Sequence, residues 1–144
     1  MKRVSDDTGF RHIAESNNDR KEGCLFCVMK PDELVGENEL CCARIDSYPV
    51  TKGHTLIIPK RHVESYFDLY QPEIDAIHQM LNETKKNIEE QDKTVTGFNV
   101  GVNVGKDAGQ SIFHVHVHLM PRRKGDTDNP KGGVRGAIPH KRTY

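Results

Sequence analysis

The chain has 144 residues, a length that fits one domain, and its 21 Lys and Arg residues balance its 21 Asp and Glu residues. This zero formal charge argues against coating of DNA or attraction to an anionic membrane, which both need a basic excess. No apolar run approaches the ~20 residues of a transmembrane helix, and the N-terminus has no signal-peptide core. We therefore expect a cytoplasmic protein whose cysteines stay reduced, with no membrane or nucleic acid among its partners.

The order of the predicted elements indicates an α+β fold with a mostly antiparallel sheet and one long helix. Alternating apolar residues predict the strands, and an apolar stripe at helical spacing predicts the helix. The strands are predicted over 40–45, 55–58, 97–104 and 111–120, and the helix over 72–91. We expect a polar N-terminal tail over 1–22, a folded domain over 23–125 and a basic Gly- and Pro-rich C-terminal tail over 126–144.

Three histidines alternate with apolar residues in the last predicted strand. Residues two apart share one face of a strand, so His114, His116 and His118 would form a row with about 7 Å between neighbours. The opposite face would carry apolar residues and belong to the core. Polar side chains that are buried together need partners, so this regular row indicates a functional site.

Two kinds of chemistry suit such a row. Neutral imidazole is a common metal ligand, but three rings in a row would span about 13 Å, too far for one ion with bonds of about 2 Å. Imidazoles also donate hydrogen bonds to phosphate oxygens while one of them attacks phosphorus. The turn from Gly105 to Gly109, followed by the hydroxyl of Ser111, favours a phosphate because glycines let backbone amides approach an anion.

Cys24 and Cys27 form a C-x₂-C pair at the start of the predicted domain. Such a pair serves metal sites and redox chemistry, and no thioredoxin-like βαβ pattern surrounds it here. A metal site is therefore favoured over redox chemistry, with two buried thiols as the other alternative. Cys41 and Cys42 are adjacent in a predicted strand and receive no role.

The stretch 110–122, QSIFHVHVHLMPR, resembles the motif His-φ-His-φ-His-φ-φ, with φ apolar, that names the histidine-triad (HIT) superfamily of nucleotide hydrolases and transferases. A second block over 45–62 and Asn103 are also similar to the family. The resemblance covers about residues 24–125. It implies a HIT-like fold in which two copies join as a homodimer with a continuous sheet.

The resemblance implies catalytic roles for His116, His118, His54 and Ser111. His116 would be the nucleophile that takes the nucleotidyl group, and His118 and His54 would close on the phosphate. Ser111 would contact the phosphate, and it or a neighbouring imidazole would protonate the leaving group.

The resemblance further implies substrate contacts by Asp46, Asn103, Gly109 and Gln110. Asp46 would accept hydrogen bonds from the ribose hydroxyls, with turn capping as the alternative for a lone aspartate. In zinc-containing members of the family, the C-x₂-C pair is joined by two histidines, which here are His62 and His114. That set would be a closed, structural zinc site.

The expected function is cleavage at the α-phosphate of a dinucleoside polyphosphate through a nucleotidyl-histidine intermediate, because 121–126 looks like the Fhit-like branch. A purine nucleoside phosphoramidase is the alternative, since Ser111 after Gln110 resembles the Hint branch, although the tryptophan of many Hint proteins is absent. A metal-dependent hydrolase and a purine nucleotide-binding protein with little turnover also stay open. The late basic residues suit a solvated tail or a cover for a polyphosphate.

Overall fold

The protein is described from a computed structural model that covers residues 19–28 and 30–144. Five strands form one sheet in the order β1-β2-β3-β5-β4, and every neighbouring pair is antiparallel. The strands are β1 (Leu34–Glu37), β2 (Cys41–Ile45), β3 (Thr55–Pro59), β4 (Val95–Gly101) and β5 (Val117–Arg123). The α-helix of the described residues, α1, spans Gln71–Gln91. The predicted α+β class with a mostly antiparallel sheet is confirmed.

The two faces of the sheet are covered by different parts of the chain. Helix α1 packs its Ile77 and Met80 against β2, β3 and β5, which places the main core on that face. On the other face Leu56 and Ile58 of β3 pack against Phe26 from the segment before β1. Because it is covered on both faces, β3 is buried along its whole length and holds the residues around it in register.

Helix α1 begins one residue before the predicted start at 72 and ends at the predicted residue. Glu73 accepts from the backbone N–H of Tyr70 at 2.8 Å, which caps the helix. The same carboxylate is buried and receives two hydrogen bonds from Arg61, at 3.0 and 2.9 Å. Sequence reasoning missed this buried pair, which ties the segment after β3 to the helix. None of the helices in the described residues is long and apolar enough to cross a membrane.

The last two strands differ from the predicted ranges, and one difference affects the site. Strand β4 spans 95–101 instead of 97–104, and β5 spans 117–123 instead of 111–120. Of the three histidines, only His118 lies within β5, so the prediction of one strand carrying all three is wrong. The physical reason is that the preceding residues bond elsewhere: the Val115 N–H donates to the Val63 carbonyl at 2.8 Å. The residues around Val115 therefore run beside the segment that follows β3, and they do not pair with β4.

The C-terminal residues contain two short 3₁₀ helices, Gly133–Ala137 and Pro139–Lys141. The ammonium of Lys131 and the guanidinium of Arg135 both lie against the ring of Tyr144, at 4.8 and 5.0 Å from its centre. Part of the predicted basic tail is thus folded back on itself.

Candidate functional site

The antiparallel order of β2, β3 and β5 brings Asp46, His54 and His118 together. Asp46 directly follows β2 and His54 directly precedes β3, and the Asp46 N–H donates to the His54 carbonyl at 3.0 Å. His118 on β5 lies opposite Leu56 of β3, two residues from His54. The sheet register therefore places residues that are far apart in sequence at one site.

A hydrogen-bond chain decides which ring nitrogens carry protons. The backbone N–H of Val50 donates to His54 Nδ1 at 3.1 Å, so the proton of neutral His54 is on Nε2. That Nε2 lies 2.9 Å from His118 Nδ1, which accepts, and the proton of His118 is left on its Nε2. The result is a row of imidazoles that ends in an N–H available to a ligand.

His116 is held in the tautomer that a nucleophile needs. Its Nδ1–H donates to the carbonyl of His114 at 2.9 Å, which leaves a lone pair on Nε2. The His116 ring packs edgewise against Phe26 and His118, with centroids 4.9 and 5.3 Å away, and is only 9% exposed. These contacts limit rotation of the ring.

The two other imidazoles are weak bases here. Burial, together with the neighbouring His116 and His54, lowers the pKa of His118 to about 4, although Asp46 opposes the shift. Burial also lowers the pKa of His54, again against the opposing effect of Asp46. Both rings are therefore neutral near pH 7 and interact with an anion through N–H dipoles.

Asp46 serves the turn and the site at once. Its Oδ1 accepts from the N–H of Tyr48 at 2.8 Å, which is the turn-capping role weighed from the sequence. Its Oδ2 lies 3.3 Å from His54 Nε2. The carboxylate also lines a cavity of about 110 Å³ whose walls include Phe26, Leu56 and Ile112. An acceptor beside an apolar cavity suits the sugar and base of a nucleoside.

The glycine turn is shaped by backbone conformations that only glycine adopts easily. Gly105 and Gly109 have φ of 91° and 93°, on either side of a 3₁₀ turn. A Cβ at Gly109 would lie 3.9 Å from the side-chain nitrogen of Asn103, so these two predicted residues are neighbours.

Gln110 is buried, and its amide is used by the loop itself. Its Oε1 accepts from the Gly105 N–H at 2.9 Å, and its Nε2 donates to the carbonyls of Glu64 and Ile112. This places Gln110 among the residues that hold the loop in shape. Ser111 is exposed and lines a different cavity with Cys24 and His62. Its hydroxyl makes no hydrogen bond to another residue in the described part of the chain.

The four predicted metal ligands converge at one point. Their ligand atoms all lie within 4.8 Å of one another, and the ligands are Cys24, Cys27, His62 and His114. His62 Nδ1 is 3.2 Å from the Cys27 sulfur, and His114 Nδ1 is 3.5 Å from both sulfurs. In a tetrahedral zinc site a sulfur and a nitrogen are separated by about 3.5 Å. These three distances are therefore close to the sulfur–nitrogen edges of a zinc tetrahedron.

The surroundings of the histidines also fit a metal. His114 Nε2–H donates to the Pro59 carbonyl at 2.7 Å, which leaves Nδ1 bare toward the two thiols. Burial lowers the pKa of His114 to about 4, so the ring is neutral, as a ligand must be. The Nε2 of His62 is buried with no hydrogen-bond partner among residues 19–28 and 30–144.

Sequence reasoning missed Phe26, Val50 and Arg44. Phe26 lies between the two cysteines and packs on His116, which its position in the C-x₂-C pair could have suggested. Val50 contributes only its backbone N–H, for which the side chain gives no signal. Arg44 sits in a buried strand beside the cavity, where a charged residue is unusual.

The comparisons with known proteins agree with this geometry. A family model of the HIT domain matches residues 29–125. Protein hit from Bacillus subtilis is 36% identical over 110 residues, which cover 73% of this chain and 75% of that protein. A solved zinc-bound histidine triad family protein from Mycobacterium smegmatis is 31% identical with a TM-score of 0.67, covering 74% of this chain and 80% of that one.

A second solved structure, a hypothetical histidine triad nucleotide-binding protein from Sulfolobus tokodaii, is 35% identical with a TM-score of 0.66 and covers 73% of each chain. The matched range contains both histidine-bearing blocks and the glycine turn. The chain belongs to the HIT family, within a superfamily of nucleotide-binding proteins and hydrolases.

Proposed function

We propose that the protein is a nucleotide hydrolase that cleaves at the α-phosphate of a dinucleoside polyphosphate through a nucleotidyl-histidine intermediate. The observation that carries this proposal is the hydrogen bond from His116 Nδ1 to the His114 carbonyl, at 2.9 Å. It leaves a lone pair on Nε2 of a ring whose centre is 5.3 Å from that of His118. A positioned nucleophile next to a donor is what attack on phosphorus requires.

In the first step His116 Nε2 attacks the α-phosphorus in line, and the bond from phosphorus to the leaving polyphosphate oxygen breaks. His118 Nε2–H donates to a phosphate oxygen, and His54 holds His118 in that tautomer. The proton for the leaving oxygen comes from His118 or from the hydroxyl of Ser111. Asp46 accepts from the ribose hydroxyls and thereby fixes the phosphorus relative to His116.

In the second step water attacks the phosphorus and its proton returns to the group that protonated the leaving oxygen. The nitrogen–phosphorus bond breaks, the electron pair returns to His116 Nε2, and a nucleoside monophosphate is released. The Gly105–Gly109 turn, with Asn103 beside it, offers the phosphate oxygens the backbone amides of Lys106 and Asp107, because its other amides already donate within the loop. We assign Gln110 to holding this turn, because its amide is already bonded to the loop.

We further propose that Cys24, Cys27, His62 and His114 hold one structural zinc ion. When bound, zinc supplies a closed tetrahedral crosslink and no open position for substrate. This crosslink fixes the segment that carries Phe26, as well as the carbonyl of His114 that orients His116. A zinc-bound relative with 31% identity supports the proposal.

A homodimer with a continuous sheet is also proposed. Strand β4 lies at one edge of the sheet, and its Val100 is 48% exposed. A sheet edge has unpaired backbone groups that a second copy can satisfy.

We also propose a cytoplasmic location. The free thiols of all four cysteines support it.

The nucleophile is tested by labelling with a substrate that carries an isotope on its α-phosphate. An acid-labile, base-stable label is expected on His116. In His116→Ala the label should be absent and turnover should fall about 10³-fold or more, while nucleotide affinity stays within about tenfold. The matched control is His78→Ala on the exposed face of α1, which should behave as wild type.

A substrate panel separates the alternatives. Dinucleoside tri- and tetraphosphates should be cleaved faster than an adenylyl phosphoramidate, and the reverse order would identify a phosphoramidase that uses the same His116. Nucleotide binding without turnover on any substrate would indicate a binding protein. A label that persists in His116→Ala would overturn the covalent mechanism.

A further inference from the structure

One wall of the nucleoside cavity is charged, which an apolar base site does not need. Beside the apolar side chains, the cavity is lined by Lys30, Glu33 and Arg44. Of these three side chains only Arg44 is buried, while Lys30 and Glu33 stay accessible enough to contact a ligand in the cavity.

Arg44 is the fixed part of this wall. It lies on β2, is 4% exposed, and its guanidinium is 5.2 Å from the centre of the Phe26 ring. Its Nη1 donates to the carbonyls of Val28, at 3.2 Å, and Leu25, at 3.5 Å. Arg44 therefore holds the segment 25–28 against the sheet, and its positive charge stays in the cavity wall.

Glu33 is the residue of this wall whose carboxylate can still accept hydrogen bonds from a ligand. One carboxylate oxygen is 3.7 Å from the Lys30 ammonium, and the other is 3.8 Å from Arg44 Nε. Both distances suit ion pairs but exceed a hydrogen bond, which is about 2.7–3.2 Å for N–H···O. The side chain is 30% exposed, and each oxygen still has a lone pair to offer to a ligand in the cavity.

The charged side chains of this wall can distinguish nucleobases by the hydrogen-bond donors and acceptors on the edges of the bases. Guanine presents two adjacent donors, N1–H and the 2-amino group, beside the acceptor O6. A carboxylate accepts from both donors, and an ammonium such as that of Lys30 donates to O6. Adenine offers one amino group beside the lone pair of N1, which a carboxylate repels.

We infer that this cavity selects guanine nucleotides, with Glu33 accepting from N1–H and the 2-amino group and Lys30 donating to O6. This inference rests on the proposed nucleotide-binding function and names the base that the site takes. Arg44 acts as a positioning residue, because its Nε lies 3.8 Å from one oxygen of the Glu33 carboxylate in the cavity wall.

The test is a calorimetric titration of the full chain with GMP, IMP and AMP. GMP should bind about tenfold or more tightly than AMP, and IMP, which lacks the 2-amino group, should lie between them. Glu33→Gln should weaken GMP binding about tenfold and leave AMP binding within about twofold. The control is Asp32→Asn, one residue away in the same 3₁₀ turn and exposed, which should change neither.

Lys30→Met gives an independent check, because it removes only the contact to O6 and should weaken GMP and IMP but not AMP. Equal affinity of the wild type for GMP and AMP would overturn the guanine inference and leave the proposed function standing. Equal weakening of GMP and AMP by Glu33→Gln would do the same. Failure of every nucleotide to bind would overturn the proposed function and the inference with it.

Discussion

Two clusters of ionisable side chains in this protein look alike in composition but differ in their hydrogen bonds. The first contains the four cysteine and histidine ligands, and the second contains Asp46, His54 and His118; in both, the ligand atoms lie within 4.8 Å of one another. In the first, the Pro59 carbonyl accepts from His114 Nε2, so the other nitrogen faces the thiols bare. In the second, the Val50 N–H occupies His54 Nδ1, so the nitrogen that faces the cluster carries a proton.

The backbone group that is hydrogen-bonded to one ring nitrogen therefore determines which chemistry the other nitrogen of a histidine can perform. A carbonyl behind the ring leaves a lone pair in front, which is what a metal binds. An N–H behind the ring leaves a donor in front, which repels a cation and suits a phosphate oxygen. The same side chain thus suits the proposed metal site at one cluster and the proposed anion site at the other.

The largest expected effect is on metal content. Cys27→Ser removes the sulfur that lies close to both histidines, so zinc should fall from about one per chain to near zero, with a stability loss of several kcal/mol. Elemental analysis and urea unfolding measure both. His54→Ala is the control and should retain its zinc. Loss of zinc from His54→Ala would mean that the second cluster also binds metal.

A smaller effect is expected on the affinity for the ribose of a nucleotide. Asp46→Ala should weaken ribonucleotide binding about tenfold, because hydrogen bonds to a charged acceptor are lost, while 2′,3′-dideoxynucleotide binding changes little. Calorimetric titration of both ligands measures this. Asp46→Asn keeps an oxygen for the Tyr48 N–H, so it separates the turn from the ribose contact. Equal losses for both ligands would leave Asp46 only its turn-capping role.

The smallest effect is expected on the pH dependence of the free energy of unfolding. The pKa of His118 is about 4 when folded, against an ordinary value of about 6.5, so between these values the unfolded chain binds more protons. Stability should therefore rise with pH across this window and fall as the solution becomes acidic. Since part of the ring is screened by solvent, His118 should contribute on the order of 1 kcal/mol to the difference between pH 5 and 7.

Urea unfolding at the two pH values checks this. His118→Leu should reduce the pH-dependent difference, while His78→Leu on the exposed face of α1 should leave it unchanged. An unchanged difference in His118→Leu would contradict the assignment of this imidazole as a half-buried neutral ring.

The local patterns predicted the elements well and their pairing less well. The helix was placed to within one residue, because an apolar stripe and a first-turn proline are local signals. The strand over 111–120 was wrong at its start, because Val115 bonds to Val63 and not to β4. Alternation of side chains shows which residues share a face, but not which strand they pair with.

Residue types and spacing were enough to determine the fold class and the family, and they predicted the histidines and cysteines of the candidate site. Tertiary structure alone decided the division of the histidine triad, in which His114 lies beside the thiols while His116 and His118 lie on the side of His54 and Asp46. It also decided the ring tautomers and placed Glu33 beside Arg44. The reason is that the deciding hydrogen bonds come from backbone groups such as the Pro59 carbonyl, 55 residues from His114, and a side-chain pattern carries no record of them.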